Sequence, residues 1–168
     1  MCLMPVVGSL VECAAVTAVH DEPHLAERSL RSVTEYPQML HTAIDTTDAR
    51  ALAEFYRELL GLRYRPGDEP PADGTPDDAD WLVLLDAGGR RKLAFQEVER
   101  LERTTWPQHD VPMQMHIDFT VTSVEELKRH RERAESLGGR LLLDRTNSDE
   151  PLYVMADPSG HPFCLLVA

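Results

Sequence analysis

The sequence predicts an α+β chain made of two tandem β-α-β-β-β modules, and three observations carry that prediction. Met39-Leu40-His41-Thr42-Ala43-Ile44-Asp45 is a strand-like run bearing a histidine, and an amphipathic helix follows it. Met115-His116-Ile117-Asp118-Phe119-Thr120-Val121 is a second such run before a second helix, its histidine at position 116 against 41, an offset of 75. Each half then closes alike, with glycine after the helix and an Asp-initiated turn before the last strand. Self-similarity of this kind marks a duplicated structural unit, and two matched histidine strands are a way of building one site between two halves.

Within the first unit, Asp48 is a good N-cap for the helix. Leu52, Phe55, Tyr56, Leu59 and Leu60 recur at helical spacing as one apolar stripe, and Gly61 supplies a left-handed stop. Leu62–Arg65 reads as a short strand, and residues 66–80, rich in Pro, Gly and Asp, as a loop. Trp81–Leu85 and Lys92–Val98 read as strands around the hairpin signal Asp86-Ala87-Gly88-Gly89. In the second unit Ser123-Val124-Glu125-Glu126 is a capping box. Its helix turns Val124, Leu127, Ala134 and Leu137 inward and stops at Gly138-Gly139. Arg140–Leu143, Leu152–Ala156 and His161–Val167 are the remaining strands, with Asp157-Pro158-Ser159-Gly160 as a type I turn. The expected organisation is an extension over residues 1–37 with little structure, a first module over 38–103, a linker over 104–112 and a second module over 113–168. An added helix over Glu22–Val33, or a translation start upstream of the domain's own Met39, is the alternative for the extension.

At 168 residues, 42% of them hydrophobic, the chain has enough apolar material for a core of its own. A net charge of −12 argues against a nucleic-acid binder, because gripping phosphates needs clustered Lys and Arg. In the helical run Lys128-Arg129-His130-Arg131-Glu132-Arg133 the bases are interleaved with acid, as on a solvated face. Cys2, Cys13 and Cys164 are sparse and lack CxxC spacing, which fits a reducing compartment. No apolar run approaches bilayer length. The apolar stretch over residues 5–19 has no Lys or Arg before Arg28 and is interrupted by Glu12, so no secretory signal is expected. These features together predict a cytoplasmic protein.

The segments Asp48-Ala-Arg-Ala-Leu-Ala-Glu-Phe-Tyr-Arg-Glu-Leu-Leu-Gly61 and Asp157-Pro-Ser-Gly-His-Pro-Phe163 resemble the first helix and the final hairpin of the vicinal oxygen chelate superfamily. That superfamily includes glyoxalase I, fosfomycin- and bleomycin-resistance proteins and extradiol dioxygenases. The resemblance runs from Met39 to the C-terminus. Leu93-Ala-Phe-Gln96, Gln114-Met-His-Ile-Asp118 and His161-Pro-Phe-Cys164 look most like an actinobacterial glyoxalase-like subgroup. The resemblance implies a curved mixed sheet around a cleft between the modules, with metal ligands from the first and last strands of each. Carried over by motif, the first-strand positions are His41 and His116. The last-strand positions are Gln96 and Cys164, matched through Phe95-Gln96 and Phe163-Cys164 at an offset of 68 (96 to 164), close to that of the histidines. The family usually has a carboxylate at one or both of the last positions, and this chain has neither. His41, His116, Cys164 and Gln96 can still hold a divalent metal such as zinc, nickel, manganese or iron.

Strand alternation puts Asp45 on the face of His41 and Asp118 on the face of His116, so these two are the candidate catalytic bases in place of the missing carboxylates. The plain alternatives are that the histidines are hydrogen-bonded cleft residues, that the aspartates cap or pair with arginine, and that Cys164 is a small buried hydrophobe. Trp81 and Trp106, with Met113, are candidates for the cleft wall. His161 is expected to fix its hairpin by hydrogen bonds. The resemblance thus implies a protein that binds a small molecule in the inter-module cleft, as a metal-dependent lyase, isomerase or dioxygenase-type enzyme, or alternatively as a metal-free protein that sequesters an antibiotic-like compound. Neither nucleic acid nor membrane is an expected partner, and the sheet edges are compatible with a homodimer.

Overall fold

Two polar side chains start the two helices. Asp48, extended at φ −151°, accepts from the Ala51 N–H at 2.8 Å and opens α1 (Ala49–Leu60). Ser123 accepts from the Glu126 N–H at 3.2 Å and opens α2 (Val124–Ser136). The Glu126 carboxylate reaches back one residue further than a capping box requires, accepting from the Thr122 N–H and hydroxyl at 3.2 and 2.8 Å. Gly61, at φ +65°, ends α1 as expected. Gly139 follows α2 so closely that a Cβ there would lie 2.9 Å from the Ala134 carbonyl oxygen, which leaves room for glycine only.

The computed structural model describes residues 37–72 and 74–168, so the expectations for residues 1–36 lie outside the described residues. Gln38–Ala168 form one compact unit. Around α1 run β1 (Thr42–Thr46), β2 (Arg63–Tyr64), β3 (Trp81–Leu85) and β4 (Arg91–Glu97); around α2 run β5 (Ile117–Val121), β6 (Arg140–Asp144), β7 (Leu152–Ala156) and β8 (Pro162–Val167). This is the predicted β-α-β-β-β order, twice. Each module makes a four-stranded mixed sheet, in the orders β1-β4-β3-β2 and β5-β8-β7-β6, with the first and last strands of each module parallel. No helix among the described residues is long and apolar enough to cross a membrane.

One core serves both modules. Leu52, Phe55, Tyr56 and Leu59 of α1 are buried against Leu82, Leu84, Leu93 and Phe95 of the first sheet and Phe163 of the second. The rings of Phe55 and Phe163 meet edge-on at 6.0 Å, and Tyr56 stacks on Phe95 at 5.7 Å. Each such side chain removed from water contributes about 1.5–3 kcal/mol, so α1 ties the modules together. The Arg133 guanidinium of α2 adds hydrogen bonds to the Glu58 carbonyl of α1 at 2.6 and 3.0 Å.

Two differences from expectation position the site. The first strands begin later than their apolar runs suggest, at Thr42 rather than Met39 and at Ile117 rather than Met115, so both histidines stand just ahead of their ladders. In the second module the residue opposite His116 is Pro162, which has no N–H to donate. In the first, the ladder starts at Thr42↔Leu93, where β4 leaves an irregularity that pairs Leu85 with Arg91 but Leu84 with Leu93 and leaves Lys92 over.

The extra residue also changes the internal alignment. Ala43 pairs with Ala94, and Asp118 pairs with Cys164. With the first strands aligned at the histidine offset of 75, Ala43 corresponds to Asp118, and therefore Ala94 corresponds to Cys164 at an offset of 70 (94 to 164). The structural counterpart of Gln96 is Leu166, so the Phe95-Gln96/Phe163-Cys164 match is two residues out of register.

Candidate functional site

On the face of the second sheet turned away from the core, three side chains converge. His116 precedes β5, Asp118 lies two residues on, and Cys164 faces Asp118 across the parallel β5–β8 ladder. Period-2 alternation brings them to one side while Ile117, Phe119 and Phe163 pack inward. One ligand atom from each lies within 4.8 Å of the others, the one such group of His, Cys, Asp or Glu among the described residues. His116 Nε2 is 3.5 Å from Asp118 Oδ1, and these side chains keep 42% and 55% of their exposure, so the trio is open on one side. Burial above all, then the hydrogen bond to Asp118 and its negative charge, push the Cys164 thiol up to about 12. In the first module the corresponding positions of β1 and β4 are Ala43 and Ala94, and no such group forms there.

His116 also lines a cavity of about 410 Å³ shaped by both modules and the linker. Ala43 and Asp45 of β1, Met113 and Met115, and the hairpin turn Ser159–Pro162 all line it. Leu101–Thr104 close it because the Arg103 stem crosses Gly160, where a Cβ would meet Arg103 Cγ at 2.9 Å, and its guanidinium donates to the Pro158 carbonyl at 2.8 Å. Beneath the cavity floor Asp157 is 3% exposed and accepts from the Tyr56 hydroxyl at 3.0 Å, the Gly160 and His161 N–H groups at 2.8 and 2.9 Å, and faces His161 Nδ1 at 3.0 Å. Burial, then the charge of Asp157, hold the Tyr56 hydroxyl well above the usual tyrosine range. The part expected of His161, bonding within its hairpin, is present, and its ring also walls the cavity.

The other sequence candidates fall elsewhere. His41 stands over Trp81, ring centroids 6.0 Å apart, in a separate cavity with Arg90, Arg91 and Lys92. Burial, then Arg91 and Arg65, lower its pKa. Gln96 is exposed on the first sheet, in register with both Asp45 and Trp81. Trp106 sits in the linker at a cis Trp106–Pro107 bond. Neither tryptophan lines the 410 Å³ cavity. Glu102, Arg103 and Ser159 in its lining escaped the sequence reading; Arg103 carries no local signal, because only the packing of its side chain on Gly160 brings it there.

Two β-α-β-β-β modules sharing one core, each a four-stranded mixed sheet, are the architecture that the resemblance to the vicinal oxygen chelate superfamily implies. Residues 41–166 match the glyoxalase-like domain model, and the chain belongs to that family. No curated protein matches it in sequence. In fold it is similar to a hypothetical protein of S. aureus (TM-score 0.54, 20% identity, 78% of this chain and 97% of that one). It is also similar to a glyoxalase/bleomycin resistance protein/dioxygenase family enzyme from Burkholderia phytofirmans (TM-score 0.54, 15% identity, 76% and 96%). A third likeness is to the fosfomycin resistance protein FosX from Listeria monocytogenes (TM-score 0.56, 18% identity, 79% and 92%). At these identities the likeness is one of fold.

Proposed function

We propose that the protein binds a small molecule in the 410 Å³ cavity beside a divalent metal ion held by His116, Asp118 and Cys164, and acts on it as a metal-dependent enzyme of the lyase or isomerase type. The observation that carries this reading is the convergence of imidazole, carboxylate and thiol within 4.8 Å at the edge of a cavity of ligand size. The donor set, one imidazole, one carboxylate and one thiol, would suit zinc or a similar borderline ion. Such an ion, when bound, would supply Lewis-acid polarisation of a ligand oxygen.

The chain's own residues do the rest. His116 belongs both to the trio and to the cavity lining, so an ion held by the trio would border a ligand in the cavity. Asp45, which also lines the cavity, is the candidate to accept a proton from that ligand. Methionines 113 and 115 and Ile44 offer the apolar surface that orients it. Asp157 holds the His161 ring through Nδ1, which keeps that wall in one geometry.

Cobalt(II) titration of metal-free protein tests this. One equivalent should bind with a thiolate-to-cobalt charge-transfer band that is lost in Cys164→Ser, while His116→Ala weakens binding at least tenfold and His41→Ala leaves it unchanged. Absence of the band, or its loss in His41→Ala, would overturn the assignment. The metal-free sequestering reading has one observation in its favour: the Cys164 thiol is hydrogen-bonded to Asp118, a pairing that stands without an ion. Its signature is a thermal midpoint unmoved by zinc, nickel or manganese.

A further inference from the structure

The duplication builds the end of a module twice, and the two copies have diverged in charge. At the first-strand offset of 75 and the hairpin-turn offset of 71 (86 to 157), Leu40, His41, Gly89 and Arg90 stand where Met115, His116, Gly160 and His161 stand in the second module. The second set walls the 410 Å³ cavity. The first set walls a separate cavity of about 550 Å³, completed by Met39, Arg91 and Lys92.

Every charged group lining this second cavity is basic. Arg90, Arg91 and Lys92 form no ion pair among the described residues, and the Arg63 guanidinium comes within 3.5 Å of where a Gly89 side chain would begin. The nearby Asp86 carboxylate accepts from the Arg90 N–H at 2.9 Å and also feels the charges of Arg90 and Lys92, so it offsets part of this basic cluster without lining the cavity. His41 Nδ1 is buried with no hydrogen-bond partner, an unmet polar atom at the cavity wall. Met39 and Leu40 lie beside these cations 83% and 60% exposed, an apolar flank next to a cationic one.

We propose that this pocket is a binding site for a small phosphate monoester, its dianion among Arg90, Arg91, Lys92 and His41 and its organic part against Met39 and Leu40. Guanidinium forks match the paired oxygens of phosphate, and three cations suit a dianion better than a monocarboxylate. A chain of net charge −12 repels an extended polyanion such as a nucleic acid or an anionic membrane surface, whereas a small anion meets only the locally positive end. The site is separate from the metal trio, and neither depends on the other.

Phenyl phosphate is the probe, with inorganic phosphate and phenol as its two halves, titrated into the full chain and followed by NMR shifts of the Gly89 amide and the His41 ring and by Trp81 fluorescence. Phenyl phosphate should give saturable changes at Gly89 and His41, inorganic phosphate weaker ones and phenol none. The double variant Arg91→Gln/Lys92→Gln, changed at exposed positions, should bind phenyl phosphate at least tenfold more weakly while its circular dichroism and cobalt binding stay as in the parent. Equal binding by the double variant, equal binding of phenol, no saturable change, or binding to phosphatidylglycerol vesicles in place of phenyl phosphate would each overturn the proposal.

Discussion

Tyr56 and Asp157 stand 101 residues apart in the chain and are joined by a 3.0 Å hydrogen bond that is wholly buried. The bond runs from the first helix of one module to the hairpin turn of the other. Because Asp157 also takes the Gly160 and His161 N–H groups, its carboxylate is buried with its acceptor sites met. The same contact anchors the floor of the cavity, so stability and site geometry share one pair of residues.

Removing that hydroxyl should be felt. Tyr56→Phe keeps the ring stack on Phe95 and leaves one acceptor position of a buried carboxylate unmet, at a cost of about 1–3 kcal/mol. Urea unfolding should show a lower midpoint with an unchanged slope. A variant as stable as the parent would show that the bond contributes nothing net.

Asp68 presents a second buried carboxylate, within the loop expected over residues 66–80. It accepts from the Val83 N–H at 2.8 Å and pairs with Arg65 at 2.7 Å, serving the β3 edge where the short β2 has ended at Tyr64. Asp68→Ala should cost about 1–3 kcal/mol by orphaning a buried N–H. Hydrogen exchange should be faster at the Val83 amide than at Leu82 or Leu84 relative to the parent, and uniform exchange along β3 would count against this anchoring role.

The Cys164 thiol yields a pH prediction. Its pKa is raised in the fold from 9.0 to about 12, so the folded state holds the proton more tightly than the unfolded chain. The resulting stabilisation is present below pH 9 and lost as pH rises toward 12. Thermal melts across this range should fall more steeply for the parent than for Cys164→Ala. Alkylation of Cys164 by iodoacetamide at pH 8 should be slower than that of an exposed cysteine by a factor on the order of a thousand, ten for each pK unit. Rapid alkylation would mean that the thiol is already ionised.

His41 gives the opposite sign. Its folded pKa lies below 6.5, first from burial and then from Arg91 and Arg65, so below that pH the unfolded chain binds more protons and stability falls with falling pH. His41→Gln should flatten this acid limb of the stability profile. An unchanged limb would place its origin in other groups.

Much of the fold was legible because local chemistry repeats. The stripe Leu52, Phe55, Tyr56 and Leu59 needs only helical spacing to be read, and Asp48, Ser123 and Gly61 mark helix ends by capping rules that act within a few residues. The site was legible in part. His116, Asp118 and Cys164 were all singled out, but Asp118 as a base rather than as the neighbour of Cys164, and Gln96 was matched to Cys164 through a shared Phe. Lys92, left over by the ladder between Leu84 and Leu93, moves the offset between modules from 71 at the hairpin turn to 70 in the last strand. The match through Phe gives 68, and a mismatch of two keeps side chains on the same face, so periodicity alone cannot detect it.

The sequence by itself therefore determined the class of fold, the duplication and the two ends where the histidines sit, because these follow from periodicities and caps local to each segment. Tertiary structure decided that the two histidines serve different cavities, that Asp118 and Cys164 meet where the first module has Ala43 and Ala94, and that Arg103 closes the 410 Å³ pocket. Those outcomes depend on strand register and on packing between segments far apart in the chain, and no local run of residues contains either.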